Sequence, residues 1–214
     1  MMASFRCGTP LWSALLLAAG LALSAGAVDA ADPADPDWPC PQRKVLSISA
    51  GQVWSGPPLD AVGESWRDDP AVSDLARHIA ARRTEIEEAK QLIADFARNS
   101  GADRNRRLSA LAAGVLSIIN ADRASIIAGI ERYSKRQRDL AAKIERQTAE
   151  LAAMPAEGSE ADPSARADLQ EVQNWDARIF QERERSLSYV CELPVALERR
   201  AFALGREIAG HLED

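Results

Sequence analysis

The stretch DRNRRLSALAAGVLSIINADRASIIAGIERYSKRQRDLAAKIERQTAELAAM, residues 103–154, decides the fold. Its apolar residues Leu108, Leu111, Val115, Ile118, Ile119, Ile126, Ile130, Tyr133, Leu140, Ile144 and Leu151 recur at threes, fours and sevens, which keeps them on one face of a helix. No proline interrupts the run, and Gly114 and Gly129 each cost only about 1 kcal/mol relative to alanine. At 1.5 Å per residue, about fifty residues extend roughly 75 Å. A helix of that length persists in water only if partners cover its stripe. Between Val115 and Ile130 the stripe is doubled by Leu116, Ile119 and Ile127, so at least two covering helices are required there. Beyond Tyr133 it thins to single residues, with Gln137 and Gln147 at the intervening stripe positions. That is the pattern of a two-helix arm leaving a thicker body.

The flanking segments supply the partners. Asp69 followed by Pro70 is a cap and a first-turn proline, opening a helix over about residues 70–99 with Val72, Leu75, Ile79, Ile86, Ala89, Ile93 and Phe96 in phase. The short turn from Ser100 to Asp103 makes it antiparallel to the long helix at about 104–154. Asp162 and Pro163 repeat the start signal for a third helix over 163–190, carrying Leu169, Val172, Trp175, Ile179, Leu187 and Val190. Pro194 predicts a separation from a last helix over 194–212. Antiparallel helices pair residues whose numbers keep a nearly constant total, about 203 for the first hairpin and about 317 for the second. The first register sets Phe96 beside Leu108 and Ile86 beside Ile118, and the second sets Leu169 beside Leu151 and Cys191 beside Ile126. The expectation is an all-α antiparallel bundle with one long central helix, a projecting helical-hairpin arm and an extended N-terminal strap.

Arg6, the apolar run Leu11–Leu23 and the small residues that follow have the layout of a secretory signal peptide over residues 1–30, with cleavage after Ala27 or Ala30. A membrane anchor needs about 20 apolar residues, so no membrane span is expected once the signal is removed. Cys7 leaves with it. The remaining two cysteines, Cys40 and Cys191, are expected to pair in a periplasmic or extracellular compartment, closing a loop worth about 4–5 kcal/mol of chain entropy. Residues 31–69 are rich in proline and glycine yet carry Trp38, Trp54 and Trp66, each able to bury about 150–250 Å². They read as a strap draped over the bundle and fastened by Cys40, with one short strand at Lys44–Ser49. With 32 acidic against 26 basic residues the net charge is −6, which disfavours nucleic acid and anionic membrane surfaces as partners.

One anomaly interrupts the stripes. Arg82 stands between Ile79 and Ile86, and Asp122 with Arg123 between Ile119 and Ile126, at the level of Pro194 and Cys191. A buried charge needs a partner, so Arg82, Arg83, Asp122 and Arg123 are expected to form a paired polar layer that fixes register. The sharper alternative is a small-ligand site between that layer and Trp54 and Trp66. No haem, phosphate-loop or nucleophile-elbow motif is present. The two histidines, His78 and His211, lack the multi-helix carboxylate set of a bundle metal site, so no metal, no cofactor and no catalytic residue is expected. The sequence predicts a non-enzymatic secreted protein that binds another protein, or itself, through a coiled-coil-like arm with an acidic tip at Glu157, Glu160 and Asp162.

Overall fold

The computed structural model describes residues 35–155 and 163–213. The signal-peptide reading over 1–30 and the acidic tip at Glu157, Glu160 and Asp162 lie outside those residues. Within them the chain is all-α: α1 (Ala50–Val53), α2 (Pro70–Ala80), α3 (Ile86–Arg98), α4 (Arg104–Ala153) and α5 (Pro163–Ala209), with short 3₁₀ turns at Leu59–Ala61, Ser65–Arg67 and Gly101–Asp103.

Asp69 opens α2 as read, its carboxylate accepting the backbone N–H groups of Ala71 and Val72 with Pro70 behind it. The single helix expected over 70–99 is two. The chain leaves the helix at Ala81 and re-enters at Ile86, so Arg82 and Arg83 sit in an exposed turn. Thr84 is buried in that turn and its hydroxyl donates to His78 O. The break also changes which helices meet. α2 takes the face of α4, while α3 packs chiefly on α5 rather than forming the expected hairpin with α4.

α4 and α5 are the long antiparallel pair, 50 and 47 residues. Their register is the predicted one: Arg123 donates to Pro194 O, Tyr133 to Arg183 O, Gln137 to Phe180 O and Arg166 to Leu151 O. α5 runs unbroken through Pro194, against the expected separation. Proline cannot donate to the carbonyl four residues earlier, and side chains serve the backbone nearby. Gln42 donates to Cys191 O and Arg123 to Pro194 O.

The four helices α2, α3, the first half of α4 and the end of α5 enclose the core, in which Val72, Ile79, Ile93, Leu108, Leu111, Ile119, Leu197, Leu204 and Ile208 are fully buried. An 18-residue window within 101–153 has mean hydropathy 1.4, and half of it is buried here, as befits a core helix. Two glycines allow close approach. A Cβ on Gly205 would lie 2.1 Å from Val53 O at the end of α1, and one on Gly114 would lie 2.8 Å from Trp66 Cε3. Gly129 differs, since its Cβ would meet only Arg132 Nη2 at 3.9 Å. Gly129→Ala is therefore expected to raise stability by about 1 kcal/mol through helix propensity, whereas Gly114→Ala lowers it by about 1–3 kcal/mol through overpacking. Thermal melts moving in opposite directions would check the pair.

Residues 35–69 are the strap. Trp38 and Trp66 are buried and Trp54 is half-buried, its indole N–H donating to Pro57 O at 2.7 Å. The Lys44–Ser49 segment forms neither strand nor helix. Asn120 serves its backbone instead, accepting from Ile48 N and donating to Ile48 O. Cys40 and Cys191 form the disulfide, inside a small second cluster with Trp38, Ile127 and Ile130.

Candidate functional site

The expected polar layer does not assemble. Asp122 is exposed on α4, and Arg82 and Arg83 lie in the exposed turn, because the helix that was to carry them inward ends at Ala80. Arg123 alone is buried, at 4 % exposure. Its Nε donates to Val45 O at 3.0 Å and its Nη1 to Pro194 O at 2.6 Å, so it ties the strap to α5. Its carboxylate neighbour, Glu198 at 3.8 Å, is half exposed. Trp66 packs on Gly114 under the Arg67 guanidinium, 4.1 Å from its ring, and its buried indole N–H has no acceptor. The cavity beside Trp54 and α1 has a volume of about 10 Å³, room for one water. None of Arg82, Arg83, Asp122, Arg123 and Trp66 lines that cavity with Trp54.

Arg200, which the sequence reading passed over, does for α2 what Arg123 does for the strap. Its guanidinium donates to Ile79 O and Thr84 O, closing the C-terminus of α2. The available signal was an arginine one residue before Ala201 inside an apolar stripe. Among the described residues no group of three or more His, Cys, Asp and Glu side chains is placed to hold a metal ion. His211 pairs within its own helix region with Glu207 at 3.2 Å, and His78 lies 3.6 Å from Glu88.

The arm is the more distinctive element. It comprises α4 beyond about Tyr133 and the opposing part of α5, and its interior is largely polar: Ser134, Gln137, Gln147 and Asp176 are buried there beside Leu151. Gln147 Nε2 donates to Asp176 Oδ2 at 2.8 Å and Lys143 Nζ reaches the same oxygen at 2.7 Å. The amide oxygens of Gln137 and Gln147 have no partner. Such an interior holds two helices in register with little apolar gain. On the strap side a groove of about 170 Å³ opens between Pro39, Tyr133, Gln137, Arg138 and Phe180.

Inverting the expected stripe, α5 turns Asp176 inward and leaves Val172 and Trp175 outside, 48 % and 61 % exposed. The sequence reading placed both in the helix–helix stripe. An exposed tryptophan on a projecting two-helix arm is the feature with the clearest capacity for contact.

Asp176 is also the arm's titrating point. Hydrogen bonds from Lys143 and then Gln147 hold its carboxyl below the usual 3.8. A group depressed in the folded state stabilises fully above its unfolded value and ceases to as pH falls through the lower folded one. Asp176→Asn is thus expected to cost about 1–2 kcal/mol at neutral pH. The gap to the parent protein closes as pH falls below 3.8 and through the lower folded value. Urea titrations at neutral and at acid pH check this, and a cost that stays constant with pH would show that the charge plays no part.

Compared with family models, curated proteins and solved structures, the chain matches none.

Proposed function

We propose that this is a non-enzymatic periplasmic or secreted protein that works by binding protein, with the α4/α5 arm as its coiled-coil-like contact element and the disulfide-fastened bundle as its support. The observation that carries the reading is the outward Val172 and Trp175 on an arm whose fully buried side chains are mostly polar. Evolution of a purely structural hairpin would place the indole inside and the carboxylate outside. The Cys40–Cys191 disulfide supports an oxidising compartment, and the signal-like N-terminus points the same way. The bundle itself acts as a mount. Its polar groups, Arg123 and Arg200, are committed to backbone carbonyls rather than to a reacting centre.

The test shortens the arm by one heptad from each helix, removing 139–145 and 172–178 with Val172 and Trp175 among them, which preserves the helix-pair register. Protein purified from its native periplasm with and without this deletion is compared by light scattering and by mass spectrometry of co-eluting proteins. Loss of a defined complex or oligomer, with the thermal midpoint of the bundle kept, supports the reading. An oligomeric state and partner set both indifferent to the deletion would end it.

A further inference from the structure

The arm has two sides. At 100° per residue Cys191 lies about 160° round α5 from Trp175, so the strap and disulfide cover one side while Trp175 faces the other. The uncovered side carries Asp168, Glu171, Val172, Trp175, Arg178 and Glu182, spaced by threes and fours along α5. Asp168, Glu171, Arg178 and Glu182 are exposed together with Val172 and Trp175. α4 completes this side with the exposed stripe Arg136, Asp139, Lys143, Arg146 and Glu150, running from the neck toward the tip.

Two features organise the face. Trp175 lies near the middle of the arm, opposite about residue 142 of α4 in the register that Gln137 and Arg166 define. Charges of opposite sign lie at matching distances on either side of it. Glu171 and Glu150 lie about 6 and 12 Å tipward of Trp175, whereas Arg178 and Arg136 lie about 5 and 9 Å neckward of it. Asp139 and Arg146 repeat the relation with the signs reversed, about 5 Å neckward and about 6 Å tipward. A surface most of whose charges face an opposite charge at a matching distance across an apolar centre is complementary to itself turned end for end. That is the requirement of a two-fold interface.

Resting on the protein-binding reading above, we infer that the arm's partner is a second copy of this chain, docked antiparallel about a two-fold axis through Trp175. The two indoles then stack at the axis with Val172 beside them, Glu171 meets Arg178 of the second copy, and Glu150 meets its Arg136. Twenty residues of arm at 1.5 Å each, two helices wide, give a face of about 600 Å² per copy. The total of about 1,200 Å² is at the lower limit of specific stable interfaces. The pair is accordingly a concentration-dependent dimer rather than an obligate one. Glu182 lies as far neckward of Trp175 as Asp168 lies tipward, so it faces Asp168 of the second copy, a pair of like charges. Removing its charge therefore tightens the pair.

The experiment is sedimentation equilibrium on the processed full chain from low micromolar to about 100 µM. The dimer is expected, Trp175→Ala is expected to weaken it at least tenfold, and Glu182→Gln to strengthen it. Because Trp175 is an exposed residue, its loss leaves folding intact, which a matching thermal midpoint checks. The decisive arm is a charge exchange. Arg136→Glu with Arg178→Glu in one protein, and Glu150→Lys with Glu171→Lys in another, should each be monomeric alone and dimerise when mixed. A parent protein monomeric throughout the range, a dimer indifferent to Trp175→Ala, or a mixture that stays monomeric overturns the inference. Monomers that still lose a different co-purifying protein when the arm is shortened would overturn the second copy while leaving the protein-binding role standing.

Discussion

Exchanging Cys40 and Cys191 together for serine is expected to lower the free energy of unfolding by about 5 kcal/mol, the chain-entropy value for a closed loop of this size. The two cysteines are 151 residues apart, so the disulfide spans the strap, all of α2, α3 and α4, and most of α5. The bond sits where the strap would otherwise have least to hold it. Trp38, Cys40 and Cys191 form a cluster with Ile127 and Ile130 that is separate from the main core and much smaller. Polar contacts near it are at the surface: Lys44 bridges Asp35 and Glu131, and Arg138 reaches Asp37 and Pro36 O. Pairs of that kind contribute about 0–1 kcal/mol each, which cannot replace the covalent link. Urea unfolding of the double serine variant reads the loss as a lower midpoint. Limited trypsin digestion locates it, because the exposed Arg43 becomes an early cleavage site while the α2–α5 core resists. Equal midpoints for the parent and variant would show that the link restrains nothing the other strap contacts do not already hold.

The parts of the fold that the sequence made legible are those where one rule acted alone. The α4 stripe has no proline and few competing signals, so helix, partner and register followed from spacing, and Tyr133, Gln137 and Arg123 meet α5 where that spacing put them. The break at 81–85 was hidden by its length. Ile79 and Ile86 are seven residues apart, close to two helical turns, so the chain leaves and re-enters the helix without losing phase. A stripe that stays in phase across a gap cannot reveal the gap. Pro194 misled in the other direction. Proline removes a donor, but the turns on either side of it are pinned from distant positions in sequence, by Gln42 at Cys191 O and Arg123 at Pro194 O, contacts invisible to local rules. Asp176 and Trp175 are adjacent residues, and a 100° rotation decides which faces inward. Apolarity favoured Trp175 in the interior. Lys143 and Gln147 on the opposing helix select Asp176 instead, a preference that only the registered pair of helices expresses.

Arg123 is the residue on which strap, central helix and last helix converge, and Arg123→Met is the second large effect expected. Methionine keeps much of the apolar stem but donates nothing, leaving Val45 O and Pro194 O without the donors they now have. A hydrogen bond from a charged donor contributes about 1.5–3 kcal/mol, so losing the pair costs about 3 kcal/mol, or roughly 6–12 °C in a chain of this size. The competing account assigns the stability to the ion pair with Glu198. Geometry favours the carbonyls: Glu198 Oε2 is 3.8 Å away and its side chain is 54 % exposed, against 3.0 and 2.6 Å to the two carbonyl oxygens. Glu198→Gln should therefore cost less than about 0.5 kcal/mol, and Arg123→Lys, whose single ammonium cannot fork to both oxygens, should fall between parent and methionine. Equal losses for Glu198→Gln and Arg123→Met would transfer the role to the ion pair. The disulfide supplies a further check, since both devices hold the same strap against α5. In the double-serine background the strap is already partly released, so Arg123→Met should cost less than it does alone, a coupling that a double-mutant cycle measures. Full additivity would mean that Arg123 acts on α5 at Pro194 and not on the strap.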